Sequence, residues 1–97
     1  MLNQVVLVGR LVDIQTYYIL VKSMRPNKNA DGEYESDTIK CYIPSNIYKN
    51  IKDRCEIGDI MGIKGRLENK DGSLIISVEK ATFLSSGADD ATDDDNE

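Results

Sequence analysis

The order of the strand-like segments limits the fold of this chain more than any other feature. Five runs rich in β-branched and aliphatic residues, bounded by Gly, Pro, Asn and Asp, span residues 4–12, 17–22, 37–43, 60–67 and 73–83. Runs of this composition and length are typical of β-strands. One short helical segment stands between the third and fourth runs. Five strands also build a small SH3-like barrel, but the place of the helix favours an all-β, five-stranded OB-fold barrel.

Turn residues between the runs predict how the strands connect. Gly9, near the end of the first run, predicts a bend or a bulge. Residues 25–33 combine Pro, Asn and Asp-Gly, which predicts a hairpin loop between the second and third strands. The Lys-Asp-Gly sequence at 70–72 predicts a tight turn into the last strand.

The helical segment is short and amphipathic. Ser45 is predicted to cap a helix over 46–54, in which Ile47 and Ile51 share one face. That face would close the barrel as a plug between the third and fourth strands.

Charge divides the chain into a body and a tail. The net charge is −5, but six acids and no base fall in residues 85–97. These acids are Asp89, Asp90, Asp93, Asp94, Asp95 and Glu97. The other 11 acids and all 12 bases lie in residues 1–84, whose charge is therefore +1. We expect residues 1–84 to form the folded domain and residues 85–97 to be a disordered acidic tail, because the tail has almost no apolar surface to bury.

Composition excludes several classes of function. The chain has no histidine, and Cys41 and Cys55 fit no metal-ligand spacing, so no metal site is expected. A phosphate-cradling glycine loop and a nucleophile motif are also missing, which argues against an enzyme and against a cofactor. We expect Cys41 to be a reduced core residue.

Length and hydropathy indicate where the chain acts and how it assembles. No apolar run approaches the roughly 20 residues that span a bilayer, and the start lacks the basic region of a signal peptide, so we expect no membrane association and a cytoplasmic protein. A chain of 97 residues buries only a modest core. Association into a homodimer or a homotetramer would enlarge it.

Four stretches of residues 1–84 resemble, in order, the bacterial and phage single-stranded DNA-binding protein family. They span residues 1–11, 37–41, 57–59 followed by 63–67, and 78–84. The resemblance implies an OB fold, sequence-tolerant binding of single-stranded DNA, and assembly into dimers or tetramers. It also implies a role in DNA replication, recombination or repair, with an acidic tail that recruits replication or repair proteins.

The chain departs from the family pattern in three places. The segment from Leu11 to Tyr17 is shorter than in the family. The stacking aromatics of the family on the second and third strands are replaced by Met24, Thr38 and Pro44. The tail ends in residues 93–97 without an apolar tip. Recruitment through Asp93, Asp94 and Asp95 therefore competes with a purely solubilising role for the tail.

The third strand carries the strongest candidate site. The side chains of Thr38, Lys40 and Tyr42 should point to one face of the strand. The apolar residues between them should point to the opposite face. Sequence-tolerant binding of a single strand needs cations for phosphate and flat rings for bases. Lys40 and Tyr42 side by side would supply both.

Further candidates follow from charge and chemistry. Cations on exposed strands or loops can line the path of the sugar-phosphate chain, although they also serve simply to solvate a barrel and to deter edge pairing. These cations are Arg10, Lys22, Arg25, Lys28, Lys64, Arg66 and Lys70. Tyr34 is a candidate ring and Met24 a soft apolar contact. Of Tyr17 and Tyr18 one points inward and one outward, and alternation does not say which.

Two alternatives stay open. An OB barrel without the usual stacking aromatics could serve as a protein–protein adaptor in a replication or replication-restart complex, with weak nucleic-acid binding. Single-stranded RNA would also suit a surface of cations and rings, because no residue identifies a 2′-hydroxyl contact.

Overall fold

The strands of this computed structural model, which describes residues 3–86, close into a single barrel. Its elements in chain order are β1 (Val5–Gln15), β2 (Tyr18–Lys28), β3 (Tyr34–Tyr42), α1 (Ser45–Arg54), β4 (Ile60–Lys70) and β5 (Ser73–Ser85). Around the barrel the strands follow the order β1-β2-β3-β5-β4. The prediction of a five-stranded OB-fold barrel with one short helix between β3 and β4 is confirmed. Among the described residues no helix has the length and apolar character needed to cross a membrane.

Four antiparallel ladders and one short parallel contact close the barrel. β1 pairs with β2 along its second half and with β4 along its first half. The parallel contact joins β3 to β5 through two pairs, Cys41 with Ile76 and Tyr42 with Ser77. Because this last contact is so short, β3 and β5 diverge beyond it.

Alternation along the strands fills the core. The fully buried side chains are Leu11, Ile19, Val21, Cys41, Met61 and Ile63. On β3 the buried Cys41 and Ile43 confirm the predicted inward face. Burial raises the pKa of the Cys41 thiol to about 12, so this cysteine is a packed core residue, as predicted.

The first hairpin differs in detail from its prediction. β1 continues to Gln15, and its pairing with β2 shifts between Leu11 and Asp13 rather than at Gly9. Gly9 is needed for a different reason, because a Cβ there would collide with the Lys22 carbonyl group. The turn into β2 places Tyr17 in the left-handed region, with φ of 73°.

The second hairpin loop is shorter than the predicted 25–33. β2 runs on to Lys28, and a shift in register between Met24 and Lys28 accommodates Pro26, which has no N–H to donate. The loop proper turns on Asn29, whose Oδ1 accepts hydrogen bonds from the backbone N–H groups of Asp31 and Glu33 at 2.9 and 3.0 Å.

The predicted cap of the helix is wrong. α1 starts at Ser45 itself, Pro44 occupies the N-cap position, and no side chain caps the first turn. The predicted apolar face is confirmed, since Ile51 is buried and Ile47 packs against the core.

On β4 the side chains of Met61 and Ile63 are buried in the core, whereas Leu67, which alternates to the same face, is 44% exposed. β4 pairs with β1 only as far as Gly65, so Leu67 has no neighbouring strand on that side.

The tail predictions fall largely outside the described residues. β5 ends at Ser85, and residues 87–97, with Asp93, Asp94 and Asp95, lie beyond the described part of the chain.

Gly65 offers a direct test of barrel packing. A Cβ at Gly65 would collide with the backbone of Ser77, whereas one at Gly62 would meet only the Leu84 side chain, at 3.6 Å. We expect Gly65→Ala to lower the free energy of unfolding by about 1–3 kcal/mol, because backbone must move to admit the methyl group. Thermal and urea unfolding measure it, with Gly62→Ala as the matched control. Equal stabilities of the two variants would contradict the close approach of β4 and β5.

Candidate functional site

The outer side of the β2–β3 ladder carries the polar and aromatic residues that alternate with the core. Cross-strand partners share a face, and here they are Tyr18 with Tyr42, Leu20 with Lys40, Lys22 with Thr38, and Met24 with Ser36. We call these eight residues the β2–β3 face. The predicted outward orientation of Thr38, Lys40 and Tyr42 is confirmed by this pairing.

Two lysines and two tyrosines meet at one end of the face. The Lys40 Nζ atom lies 4.3 Å from the centroid of the Tyr18 ring and 5.3 Å from that of Tyr42. The Lys70 Nζ atom lies 4.4 Å from the centroid of the Tyr42 ring. The two ring centroids are 5.7 Å apart and the planes are inclined by 49°. We call these four residues the ring–lysine cluster.

The tip of the β4–β5 hairpin brings Lys70 to this cluster. Asp71 and Gly72 form the turn in the left-handed region, with φ of 53° and 85°. The Asn69 Oδ1 atom accepts a hydrogen bond from the Gly72 N–H at 3.1 Å, which helps to hold the turn. The predicted tight turn is confirmed, and Lys70 at its edge reaches across to β3.

Tyr18 is a member of the site that sequence reasoning left undecided. Strand alternation alone could not orient it, because the register of β1 and β2 across the turn was unknown. Its pairing with Tyr42 settles the orientation: Tyr18 faces outward, while Ile19 fills the core.

A groove of about 400 Å³ lies where the β2–β3 face meets β1. Val8, Met24 and Ile60 give it apolar walls, and Arg10 and Lys22 place cations beside them. The Arg10 guanidinium donates a hydrogen bond to the Gly58 carbonyl oxygen at 2.6 Å, which ties β1 to the turn before β4. Three residues predicted for the site, Arg10, Lys22 and Met24, thus come together here.

Arg25 is held by carboxylates on the far side of the ladder. Its guanidinium donates two hydrogen bonds to Asp37, at 3.0 and 2.9 Å, and one to Glu35 at 3.0 Å. Asp37 lies on the same face of β3 as Ile39 and Cys41, and Lys40 lies on the opposite face. These ion pairs are therefore away from Lys40. The hydrogen bond from Arg25 holds the pKa of Asp37 below its usual range, and the same bond raises the pKa of Arg25.

The remaining predicted residues lie apart from the cluster. Lys28 and Tyr34 pair near the end of the β2–β3 hairpin, with the ammonium 5.7 Å from the ring centroid. Lys64 and Arg66 stand on β4, which borders β1 and β5 rather than β2 or β3. The Arg66 guanidinium is paired with Glu68 at 2.8 Å.

The β2–β3 face suits a chain that alternates negative charge with flat aromatic groups. Ammonium groups can meet the anionic positions, and phenol rings can stack on the flat ones. Among residues 3–86 no group of three or more His, Cys, Asp or Glu side chains could hold a metal ion.

Several curated proteins are about one third identical in sequence to this chain. The chain is 32% identical to single-stranded DNA-binding protein 3 of Listeria innocua, in an alignment that covers 100% of this chain and 74% of that protein. It is 31% identical to single-stranded DNA-binding protein B of Bacillus subtilis, over 81% of this chain and 83% of that protein. No family model matches the chain.

Solved structures share the fold. A mitochondrial single-stranded DNA-binding protein of S. cerevisiae superposes with a TM-score of 0.71 at 13% identity, over 90% of this chain and 99% of that one. The small single-stranded DNA-binding protein of Streptomyces coelicolor gives a TM-score of 0.64 at 12% identity, over 87% of this chain and 95% of that one.

The ion pairs of Arg25 predict how Asp37 titrates. Because the guanidinium stabilises the carboxylate, we expect the pKa of Asp37 in the folded protein to lie below the ordinary value of an aspartate. The stability that this pair contributes is present above that value and is lost as the pH falls through the lowered pKa. Arg25→Gln should move the titration of Asp37 upward, as followed by NMR of its carboxyl carbon.

Lys28→Gln is the matched control for the Asp37 titration, since Lys28 lies against Tyr34. It should leave the titration of Asp37 in place. An unchanged titration in Arg25→Gln would show that the pair is not formed in solution.

Proposed function

The chain belongs to the family of bacterial single-stranded DNA-binding proteins, and from this premise we propose that it binds single-stranded DNA, without regard to sequence, across the β2–β3 face. The observation that carries the proposal is the ring–lysine cluster, in which Lys40 and Lys70 lie against two outward rings. Binding of single strands in general combines a basic groove with rings on which bases stack.

The path of the strand follows the cations of the face. Phosphates would meet Lys22, Lys40 and Lys70, while bases would meet the two rings at one end and the apolar wall of the groove around Met24 at the other. Thr38 lies exposed between these ends, opposite Lys22. A duplex fits this path poorly because its bases are already stacked on one another.

The other predicted contacts have different weights in the proposal. Arg10 borders the groove and remains a contact, and Lys28 with Tyr34 would extend the path along the hairpin. Arg25 should contribute little, because Asp37 and Glu35 already satisfy its guanidinium. Lys64 and Arg66 lie on the outside of β4, off the main path, and Lys64 lines the groove that we propose below as a contact between copies, so neither is a main contact.

The biological role proposed here is protection of single-stranded DNA during replication, recombination or repair in the bacterial cytoplasm. The adaptor alternative is not favoured, since the curated relatives carry single-stranded DNA-binding names. Recruitment of replication or repair proteins by Asp93, Asp94 and Asp95 remains a proposal for the acidic tail. Binding of RNA is an alternative that the titration below separates.

A second copy of the chain is the partner that we propose for the outside of β1, β4 and β5. Val6, Val8 and Leu84 are 75%, 54% and 50% exposed there, and they line a shallow groove of about 300 Å³. Apolar side chains grouped on one surface mark sites of association. We therefore propose a homodimer, or a homotetramer built from it, through this apolar face, defined by Val6, Val8 and Leu84.

A titration with fluorescent oligothymidine tests the binding proposal. Contacts from about four cations should give a slope of about −3 in a plot of log affinity against log salt, since each phosphate contact on a single strand contributes about −0.7. Duplex of equal length should bind much more weakly. Oligouridine serves as the RNA arm, and tighter binding to it would redirect the proposal to RNA. A flat salt response, or equal affinity for duplex, would contradict the proposed path.

Light scattering tests self-association. We expect a mass of two or four times 10.9 kDa at micromolar concentration. Val6→Glu should shift the protein toward the monomer, because it places a charge in the apolar contact. Leu74→Glu is the matched control, since Leu74 is 70% exposed at the tip of the β4–β5 hairpin, away from that face. A wild-type mass of 10.9 kDa would contradict the proposal.

A further inference from the structure

The rings of the ring–lysine cluster already have partners in the unbound chain. An ammonium group lies 4.3 Å from the centroid of Tyr18 and another lies 4.4 Å from that of Tyr42. The ring surface that attracts an ammonium group is the same π surface on which a base would stack. A lysine and a base therefore compete for it.

We infer that Lys40 and Lys70 are exchangeable caps on Tyr18 and Tyr42, which a base displaces when a single strand binds. The displaced ammonium groups then pair with phosphates of the same strand. The inference rests on the proposed binding of single-stranded DNA, and it adds Tyr18 to the residues that contact bases.

The chemistry of lysine permits this exchange. The ammonium group is a compact charge on a flexible four-carbon stem, so it can leave a ring and reach a phosphate by rotation about side-chain bonds. An arginine could not exchange as simply where its guanidinium is fixed by two hydrogen bonds, as Arg25 is by Asp37.

The geometry of the rings assigns them to different bases. Their planes are inclined by 49° and their centroids are 5.7 Å apart, so one flat base cannot stack on both. Each ring accordingly takes its own base. The Lys40 Nζ atom lies within 5.3 Å of both centroids, so its departure uncovers Tyr18 and removes one of the two ammonium groups beside Tyr42, which couples the two base positions.

The exchange has a consequence that a fixed phosphate contact would not have. Removing a cap by mutation eliminates one phosphate contact, but it also spares the base the cost of displacing an ammonium group. The contribution of the bases should therefore rise while the overall affinity falls. The ratio of the affinities for oligothymidine and for an abasic oligodeoxyribonucleotide of equal length isolates that contribution.

The test compares this ratio in the full-length protein and three variants, with folding checked by circular dichroism. Lys70→Ala should weaken the binding of both oligonucleotides and make the salt slope shallower by about 0.7. It should raise the ratio about two- to fivefold, as expected from the strength of an exposed cation–ring contact. Tyr18→Leu should lower the ratio about tenfold and leave the salt slope unchanged.

Lys52→Ala is the matched control. Lys52 lies 5.9 Å from the Tyr48 ring on α1, which makes it the same kind of pair away from the β2–β3 face. It should leave the ratio unchanged.

Each outcome bears on a separate statement. An unchanged or lowered ratio in Lys70→Ala would overturn the exchange. An unchanged ratio in Tyr18→Leu would remove Tyr18 from the base contacts, with single-strand binding intact in both cases. If Tyr18→Leu does not fold, the shift of the Tyr18 ring resonances in an NMR titration of the wild-type protein with oligothymidine decides whether Tyr18 meets a base. Failure of the wild-type protein to bind either oligonucleotide would instead overturn the proposed function.

Discussion

Alternation along β3 is the constraint on which the site depends. Cys41 and Ile43 must point inward because they complete the core and because Cys41 lies at the short parallel contact that closes the barrel. Their burial commits Lys40 and Tyr42 to the outside. The same contact brings β5 beside β3 and thereby sets the β4–β5 hairpin, with Lys70 at its edge, next to the Tyr42 ring. Packing of the interior and assembly of the ring–lysine cluster are thus two consequences of one strand register.

The parts of the structure that could be predicted are those that depend on the alternation of side chains along a strand and on turn residues. The strand order, the inward face of β3 and the turn at Asp71 and Gly72 follow from alternation and turn chemistry, and all were found. The orientation of Tyr18 was not predictable, because it depends on the register across a turn in which Tyr17 adopts a left-handed conformation. The extent of β2 was missed because Pro26 signals a loop, whereas the strand absorbs it at a shift in register.

Charge alone could not show which cations are available to bind a phosphate. The groups that surround each cation decide this. Arg25 and Arg66 are each held by carboxylates, which match the planar fork of a guanidinium. Lys40 and Lys70 instead lie against rings. An exposed ammonium group held only by a ring is easily drawn away by a phosphate, whereas a guanidinium in a bidentate pair must first give up its hydrogen bonds. In the ring–lysine cluster the positive charge is therefore carried by lysines that a phosphate can draw away, whereas the charges of Arg25 and Arg66 are already paired with carboxylates.

Binding and self-association meet at β1. Val8 lines both the groove beside Arg10 and Lys22 and the apolar groove that we propose as a contact between copies. Because β1 lies between β2 and β4, its outward side chains border both surfaces. A two-fold contact through the apolar face would bring the grooves of two copies toward each other. A strand long enough to enter both grooves would then bind the second as an intramolecular event, at an effective concentration set by the nucleotides between them. The modest number of cations on one barrel would in that way suffice for tight binding of long single strands, while short oligonucleotides would report the affinity of a single face.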